Sequence, residues 1–425
     1  MPRSLATVRF SLVCLAAASV AFGVAIIGLA KLLLLLCALP VLLYRWLRRD
    51  ERPTLLQGAA PAMILLALAC LAAGTLWSTG STEEALQALA KHGKLILIPA
   101  VLSLMRSRRE ALIALACFAG AQVFLLASTW LHFAGVPIAW ITSKEVGTCD
   151  TCSYAIFGTY LDQSIMTAVL AAVAWHCRSY LPGRWRTLLA PAVALLALGC
   201  VFLIFQARTA YLIAILLIAL TIYWELPRRL QPGAALLVLA GLVALLAGSH
   251  QFRQRVLEVD HGIHSFQKSG DLTGSSGNRI FLWLGSLQLI EKSPLQGTGT
   301  GSWQKEFNAL QHSSAATLPS DTAGKVHRNP HQEFLLWGVE LGLPGIALFC
   351  AVLLALYRDS RQLEAPARRA MQSVLAALTL ACLFNCTLYD ALIGDFFCVA
   401  LALVAALGAA AMPSAAPTPA AQPAA

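Results

Sequence analysis

Charged residues are scarce in this chain, and their scarcity excludes a soluble fold. Asp, Glu, Lys and Arg together make up 12% of the 425 residues, whereas 58% are hydrophobic. A soluble protein of this length needs a much larger polar surface to face water. Most of the chain must therefore face lipid, and the composition predicts an integral membrane protein.

Long apolar runs recur from one end of the sequence to the other. A helix needs about 17–25 predominantly apolar residues to cross roughly 30 Å of hydrocarbon. Runs of this kind predict an all-α integral membrane protein with about 12 transmembrane helices. They cover residues 8–27, 28–44, 55–77, 92–105 (a short run), 110–133, 161–177, 187–204, 208–224, 233–249, 332–357, 371–388 and 391–411.

The polar segments divide the chain into four parts. Residues 1–249 hold the first nine predicted helices, residues 250–331 form one large loop, and residues 332–411 hold the last three. Residues 412–425 are low in complexity and broken by proline, which predicts a disordered tail.

The large loop itself predicts short helices. Apolar residues at helical spacing over 279–292 indicate one helix, and Ser293-Pro294 ends it. The glycines of residues 297–301 predict a flexible elbow after it. Residues 253–268 fit an amphipathic helix at the membrane interface. The loop is therefore expected to form a small folded layer over the membrane.

The distribution of basic residues predicts the orientation of the chain. The net charge is +10, but Arg concentrates in alternate short loops, as the positive-inside rule describes. These are Arg3, Arg9, Arg45, Arg48, Arg49, Arg52, Arg106, Arg108, Arg109, Arg178, Arg184, Arg186, Arg228, Arg229, Arg358, Arg361, Arg368 and Arg369. The short loops of opposite parity hold only Lys31, Lys91, Lys94, Lys144 and Arg208. Both termini are therefore expected in the cytoplasm and the large loop on the far side, with no nucleic acid as partner.

Two cysteines stand apart from those in the apolar runs. Cys149 and Cys152 form a C-x-x-C pair in a predicted external loop. Such a pair can be redox-active, bind a metal or form a local disulfide. A structural disulfide in an oxidising compartment is the favoured interpretation, because no second pair accompanies it.

Three side chains are candidates for chemistry on the far side of the membrane. His331 follows Pro330 at the mouth of the tenth predicted helix, where an imidazole can take a proton from a hydroxyl nucleophile. Arg208 lies at the same boundary, and Arg279 begins the predicted loop helix. Guanidinium groups bind phosphate bidentately. The alternatives are an interfacial or capping histidine, a snorkelling arginine and an ordinary solvated charge.

Four further residues are secondary candidates: Asp390, His327, Arg328 and Glu333. Asp390 can orient His331, hold a hydroxyl or cap a helix. Together, two fixed cations and one titratable base suggest a site for a lipid-linked pyrophosphate and an incoming hydroxyl.

Two segments resemble the O-antigen ligase family, which includes O-antigen ligases, O-antigen polymerases and protein O-oligosaccharyltransferases. The first runs from Asn278-Arg279-Ile-Phe-Leu-Trp283 through the glycine elbow to Trp303. The second joins Pro330-His331-Gln-Glu-Phe-Leu335 to Glu340-Leu-Gly-Leu-Pro-Gly345, and Arg208 also fits the family pattern. Gln332 stands where Asn is common, and Ala207 where Ser is common.

The resemblance implies glycosyl transfer at the periplasmic face of a bacterial inner membrane. The donor would be an undecaprenyl-pyrophosphate-linked glycan, and for a ligase the acceptor would be a sugar hydroxyl of lipid A-core. The family reaction is regarded as inverting and metal-independent, so no cofactor and no metal ligand is expected. His331 would then be the catalytic base, and Arg208 and Arg279 would bind the pyrophosphate.

Several alternatives remain open from the sequence. One dominant external loop favours a ligase over a polymerase, which more often has two. A protein O-oligosaccharyltransferase is the third interpretation, because that type often carries additional C-terminal sequence that is absent here. A twelve-helix secondary transporter would require repeated halves around a midplane site, and the pattern of residues 278–345 does not recur in residues 1–200. The sequence leaves the glycan, the acceptor hydroxyl and the oligomeric state undetermined.

Overall fold

The computed structural model describes residues 3–47, 56, 58–144, 154–205, 207–231, 233, 275–313 and 327–409. Every regular element in these ranges is helical. The α-helices are α1 Arg3–Ser19, α2 Val24–Leu47, α3 Ala59–Gly74, α4 Thr82–His92, α5 Leu97–Leu104, α6 Arg108–Phe133, α7 Tyr160–His176, α8 Gly183–Gly199, α9 Arg208–Glu225, α10 Ser275–Lys292, α11 Trp303–Ser313, α12 Glu333–Ser360, α13 Ala365–Phe384 and α14 Ala391–Ala409.

Short irregular helices extend several of these elements. A 3-10 turn at Thr75–Trp77 follows α3, another at Gly93–Ile96 joins α4 to α5, and a third at Cys177–Tyr180 follows α7. A π-helix at Cys200–Phe205 extends α8. With these extensions, nine helices within the described ranges are long and apolar enough to cross a membrane.

The predicted all-α membrane fold is confirmed, whereas the count of 12 spans is not. Eleven of the twelve predicted runs coincide with observed helices, but α1 and α7 have only 17 residues each. The predicted ninth span, residues 233–249, lies outside the described residues, as do Cys149, Cys152, residues 253–268 and the tail at 412–425. The boundary between the first two spans also differs, because α1 ends at Ser19 and α2 begins at Val24.

One helix forms the centre of the bundle. The span of α14 is 94% buried within the protein, and α14 packs against α5, α6 and α13. Leucines of α2 and α8, by contrast, point outward: Leu29, Leu36, Leu43, Leu195 and Leu203 are all exposed. Exposed leucine rows of this kind are the surface that lipid covers.

Lys31 is not in a loop, contrary to the sequence-based assignment. It lies inside α2, and its ammonium is 2.8 Å from the Asp395 carboxylate of α14. A lysine in an apolar helix is costly unless a counter-charge neutralises it. The pair therefore joins α2 to the central helix. The sequence placed Lys31 in a loop because its counter-charge, Asp395, lies more than 350 residues away and is not visible in the local pattern.

The arginine-rich loops meet at one end of the bundle, which we call the basic end. Arg9 of α1 bonds Glu110 of α6 at 3.0 Å. Arg108 bonds Glu364 at 2.8 Å, and Arg178 bonds Glu225 at 3.0 Å. The opposite end holds the start of α9, the start of α12 and the turn at residues 385–390. We call it the site end.

Helix α12 is broken at Gly342 on its way through the bundle. Gly342 has φ 71° and ψ −165°, and Pro344 follows two residues later. Because proline has no N–H and its ring clashes with the preceding turn, the helix cannot continue its hydrogen bonds here. The backbone groups that lose helical partners in this apolar setting need other ones.

Residues 293–302, the glycine loop, supply those partners. Thr298 N donates to Val339 O at 2.8 Å, and Gly299 N donates to Glu340 O at 2.9 Å. On the C-terminal side of the break in α12, Leu343 N donates to Pro294 O at 2.7 Å. The glycine loop thus replaces the missing turn of α12.

The same loop caps the end of α3. Thr300 donates through its backbone N–H to Gly74 O and through Oγ1 to Leu71 O, at 3.1 and 2.7 Å. The expected flexible elbow is therefore a fixed structure bonded to two helices. Gly299 is needed because its φ is 92° and a Cβ there would lie 2.2 Å from the Ser78 Cα.

We predict that Gly299→Ala destabilises the protein by more than about 2 kcal/mol, since the substitution combines positive-φ strain with a backbone clash. Gly120→Ala is the matched control, because a Cβ at Gly120 meets nothing within 4 Å. Thermal unfolding in detergent measures both variants. Equal midpoints for the two would show that the loop does not need its close approach to α3.

Candidate functional site

Arg208 is the first residue of α9 at the site end. The π-helix at Cys200–Phe205 precedes it, and π-helical turns occur frequently at functional sites. Ala207 forms the N-cap of α9 without a side-chain hydrogen bond. The N-terminus of a helix favours anions through its exposed N–H groups and its dipole. The half-buried Arg208 side chain adds a permanent positive charge at that position.

Arg279 lies on α10, which packs against α12 and α11. It is half-buried. Burial and the positive charge of Arg208 both lower the pKa of the Arg279 guanidinium, while Tyr160 at the start of α7 acts in the opposite direction. The two guanidiniums are therefore within electrostatic reach of each other. Such a pair is suited to a ligand that carries more than one negative charge.

His331 occupies a strained backbone position two residues before α12. Its φ is 50°, and it is the one non-glycine residue with positive φ among the described residues. The sequence placed it in the first turn, but α12 begins at Glu333 with Gln332 as its N-cap. Asn329 Oδ1 accepts the His331 N–H at 2.9 Å and holds the turn. Backbone strain of this kind concentrates at active sites and ligand clamps.

The His331 imidazole is half-buried and lies within electrostatic reach of Arg279. Burial, followed by the charge of Arg279, lowers the pKa of His331, and the Asn385 side chain opposes this shift. The lowered pKa favours the neutral imidazole, which is the form that accepts a proton. Through Arg279, all three leading candidates (Arg208, Arg279 and His331) lie within electrostatic reach of one another.

The four secondary candidates occupy different surroundings. The His327 ring contacts Phe307 of α11 in a T-shaped geometry, with ring centroids 6.0 Å apart. Arg328 is exposed. Burial raises the pKa of Asp390, and Lys94 and Lys91 oppose the shift. Glu333 is fully buried and accepts the Leu388 N–H at 3.0 Å. Glu333 thus bonds the turn that carries Asn385, and Asp390 lies beside two lysines.

Two residues near this site escaped the sequence analysis. Asn385 ends α13, and Tyr160 begins α7. Neither stands out in sequence, because each is a common residue at a helix end. Their importance depends on which side chain faces them across the bundle.

A buried acid–base pair is hydrogen-bonded to the glycine loop. His92 Nε2 lies 2.9 Å from Glu340 Oε2, and both side chains are almost inaccessible. Glu340 Oε1 accepts the Gly301 N–H at 2.8 Å. A carboxylate in an apolar helix is expensive and marks a site of importance. The sequence shows this carboxylate within an apolar run, but Glu340 entered the sequence analysis only as part of a motif.

The described part of the chain contains no candidate metal site. No group of three or more His, Cys, Asp or Glu residues there is arranged to hold a metal ion. The polar side chains around the leading candidates are instead the guanidiniums of Arg208 and Arg279, the His331 imidazole, the Asn385 amide and the Tyr160 phenol.

Residues 193–350 match a protein-family model described as O-antigen ligase. This segment contains Arg208, Arg279 and His331, together with the glycine loop and the break in α12. The described residues form an all-α integral membrane protein. The match supports membership in the O-antigen ligase superfamily, as the motifs predicted, and with it a transferase kind of activity. A search of curated proteins found no match to the chain.

We predict that inorganic pyrophosphate stabilises the protein against thermal unfolding by binding between Arg208 and Arg279. An anion there relieves the repulsion of the two guanidiniums and adds charge-assisted hydrogen bonds. The stabilisation should be lost in Arg208→Gln and in Arg279→Gln.

Arg358→Gln is the control, because Arg358 is exposed and lies near the basic end of α12. It should keep the full response. If all variants respond as the wild type does, the anion binds elsewhere.

Proposed function

We propose that this protein is an O-antigen ligase. It would transfer a glycan from undecaprenyl pyrophosphate to a sugar hydroxyl of lipid A-core, in lipopolysaccharide biosynthesis. The observation that supports this proposal is the location of His331, Arg279 and Arg208 within the family-matching segment. His331 lies in a strained turn, Arg208 begins α9, and Arg279 is within electrostatic reach of both. These are the groups that transfer from a pyrophosphate to a hydroxyl requires.

The proposed reaction is a single inverting displacement. The acceptor hydroxyl oxygen attacks the anomeric carbon, and the bond from that carbon to the pyrophosphate oxygen breaks. The electron pair of this bond leaves with the polyprenyl pyrophosphate, and His331 takes the hydroxyl proton. Arg208 and Arg279 stabilise the charge that grows on the leaving group, which is the principal electrostatic demand of the reaction.

The site end is proposed to face the periplasm of a bacterial inner membrane. The reason is the positive-inside rule, because arginine-rich loops are typical of the cytoplasmic side. The basic end carries the pairs Arg9–Glu110, Arg108–Glu364 and Arg178–Glu225. With the basic end in the cytoplasm, the start of α9 and the start of α12 open toward the compartment where lipid-linked glycans meet their acceptors.

We predict that His331→Ala lowers the rate of glycan transfer in proteoliposomes by about 100-fold or more, the usual contribution of a general base. Donor binding should persist because both arginines remain. A chelator should leave wild-type turnover unchanged.

His312→Ala is the matched control, because His312 is an exposed histidine on α11. It should have normal activity. Normal activity of His331→Ala would remove His331 as the base, and strict metal dependence would contradict the proposed displacement.

Deletion of the gene in its host separates the ligase from the polymerase. Both enzymes would use the same donor and the same displacement, but they differ in the acceptor. For a ligase we expect core lipid without O-chains, with polymer accumulating on the lipid carrier, on lipopolysaccharide gels. Core lipid that carries a single repeat unit would instead identify a polymerase.

A further inference from the structure

Helices α8 and α9 form a hairpin whose two arms stand apart over most of their length. Both arms pack on α7, but they meet each other mainly at the site end, where the π-helix at Cys200–Phe205 contacts the start of α9. There the rings of Phe202 and Tyr211 stack, with centroids 5.4 Å apart. The hairpin is therefore closed at the site end and open toward the basic end.

A groove of about 300 Å³ lies between the two arms, with α7 as its floor. This volume is at the lower end of the range for small-ligand sites. Its lining is almost entirely apolar and includes Ala168 and Ala171 of α7 and Ala194 of α8. Leu195, which also lines the groove, is 70% exposed. The groove thus opens toward lipid, and a hydrocarbon chain there gains dispersion contacts that an empty groove forfeits.

A second cavity continues the groove at the basic end. Pro191 lines both cavities. Trp175 of the groove lies under the guanidinium of Arg178, 4.4 Å from the ring centroid. Arg178 in turn lines the second cavity, together with Arg186 and Thr187. The apolar groove therefore leads into a space bordered by two guanidiniums and one hydroxyl.

Positive charge exceeds negative charge around this second cavity. Glu225, at the end of α9, pairs with Arg178 at 3.0 Å and also with Arg369 at 3.4 Å. Arg186 is exposed, and no carboxylate of the described residues lies within ion-pair distance of it. An anion is complementary to this surface, and guanidinium groups bind phosphate oxygens bidentately.

We propose that the groove and the cavity beside it form a binding site for an anionic phospholipid of the leaflet at the basic end. One acyl chain lies in the groove along the alanines of α7 and α8. The phosphate binds Arg186, with Arg178 and Thr187 beside it. Because this site lies at the opposite end of the bundle from His331, the inference does not depend on the proposed function.

The polyprenyl chain of a glycan donor fits this groove less well than a phospholipid does. Its pyrophosphate would lie at Arg208, the first residue of α9, whereas on this helix the groove begins at Leu217. At 1.5 Å per residue, the two positions are about 14 Å apart along the helix. The stack of Phe202 on Tyr211 lies between them. A chain that enters from the basic end meets no such barrier.

The first test measures lipid binding to the purified full-length protein by native mass spectrometry. The probes are phosphatidylglycerol and phosphatidylcholine with the same acyl chains. The wild type should bind phosphatidylglycerol about 10-fold more tightly or better, and Arg186→Gln should weaken that binding about fivefold, the usual effect of one basic residue on an anionic lipid. Equal affinity of the wild type for the two lipids would overturn the inference.

Arg184→Gln is the matched control for the lost charge. Arg184 is exposed on the same helix, but its guanidinium lies over the Trp185 ring, 5.4 Å from the centroid, and does not line the cavity. This variant should keep the full preference for phosphatidylglycerol. Equal losses in Arg184→Gln and Arg186→Gln would mean that the lipid responds only to the net charge of the basic end, which contradicts a defined site.

The second test fills the groove. Ala194→Phe should weaken phosphatidylglycerol binding about 10-fold, because the ring and the acyl chain compete for one space. Ala192→Phe is its control, since Ala192 is exposed on α8 and lies outside the groove; its binding should equal that of the wild type. If Ala194→Phe does not insert, Ile218→Trp takes its place, because Ile218 lines the groove from α9.

Other occupants of the groove give different results. Unchanged phosphatidylglycerol binding in the filled-groove variant would reject the site, as expected if residues 233–249 or a second copy of the chain covered it. Undecaprenyl pyrophosphate added in excess should leave phosphatidylglycerol bound to the wild type. Displacement of phosphatidylglycerol by this probe would assign the groove to the carrier lipid and overturn the inference.

Discussion

The backbone groups freed by the break in α12 must find partners inside an apolar bundle, and the rest of the site depends on how they do so. Without water, an unpaired carbonyl or N–H costs several kcal/mol by the usual order-of-magnitude estimate. The glycine loop supplies partners from Pro294, Thr298 and Gly299. Because the loop joins α10 to α11, it also determines where Arg279 lies relative to His331.

The glycine loop is itself held from two directions. Thr300 bonds the end of α3, and the His92–Glu340 pair accepts the Gly301 N–H. The helices of the first half of the chain therefore support a site whose proposed chemistry comes from the second half. This arrangement explains why small residues occupy the loop after α10: glycine allows the loop to approach α3 and α12 closely enough to bond their backbones.

The site end places positive charge next to a strained turn. Arg208 and Arg279 are both half-buried and within electrostatic reach of each other, and His331 has a φ of 50°. In the proposed reaction the two guanidiniums would bind the pyrophosphate and His331 would take the hydroxyl proton. The nearby turn at residues 385–390 is held by the buried Lys94 ammonium and the buried Glu333 carboxylate.

Sequence alone was sufficient for the membrane class, the all-α fold, the approximate positions of eleven helices and the superfamily. These depend on composition and on local runs of apolar residues, because the thickness of a bilayer imposes a length that each helix carries within itself. Arg208 and His331 were also proposed in this way, since a charged or titratable group at a membrane boundary is conspicuous against apolar surroundings. Arg279 was added because it was expected on the same side of the membrane.

Only the tertiary structure decided which polar groups meet. Lys31 pairs with Asp395 and His92 pairs with Glu340, each across a long separation in sequence. The sequence of the glycine elbow predicts flexibility, but its hydrogen bonds to α3 and α12 hold it in place. In an apolar interior the partner that satisfies a hydrogen bond or a charge is chosen by helix packing, and no local pattern of residues encodes it.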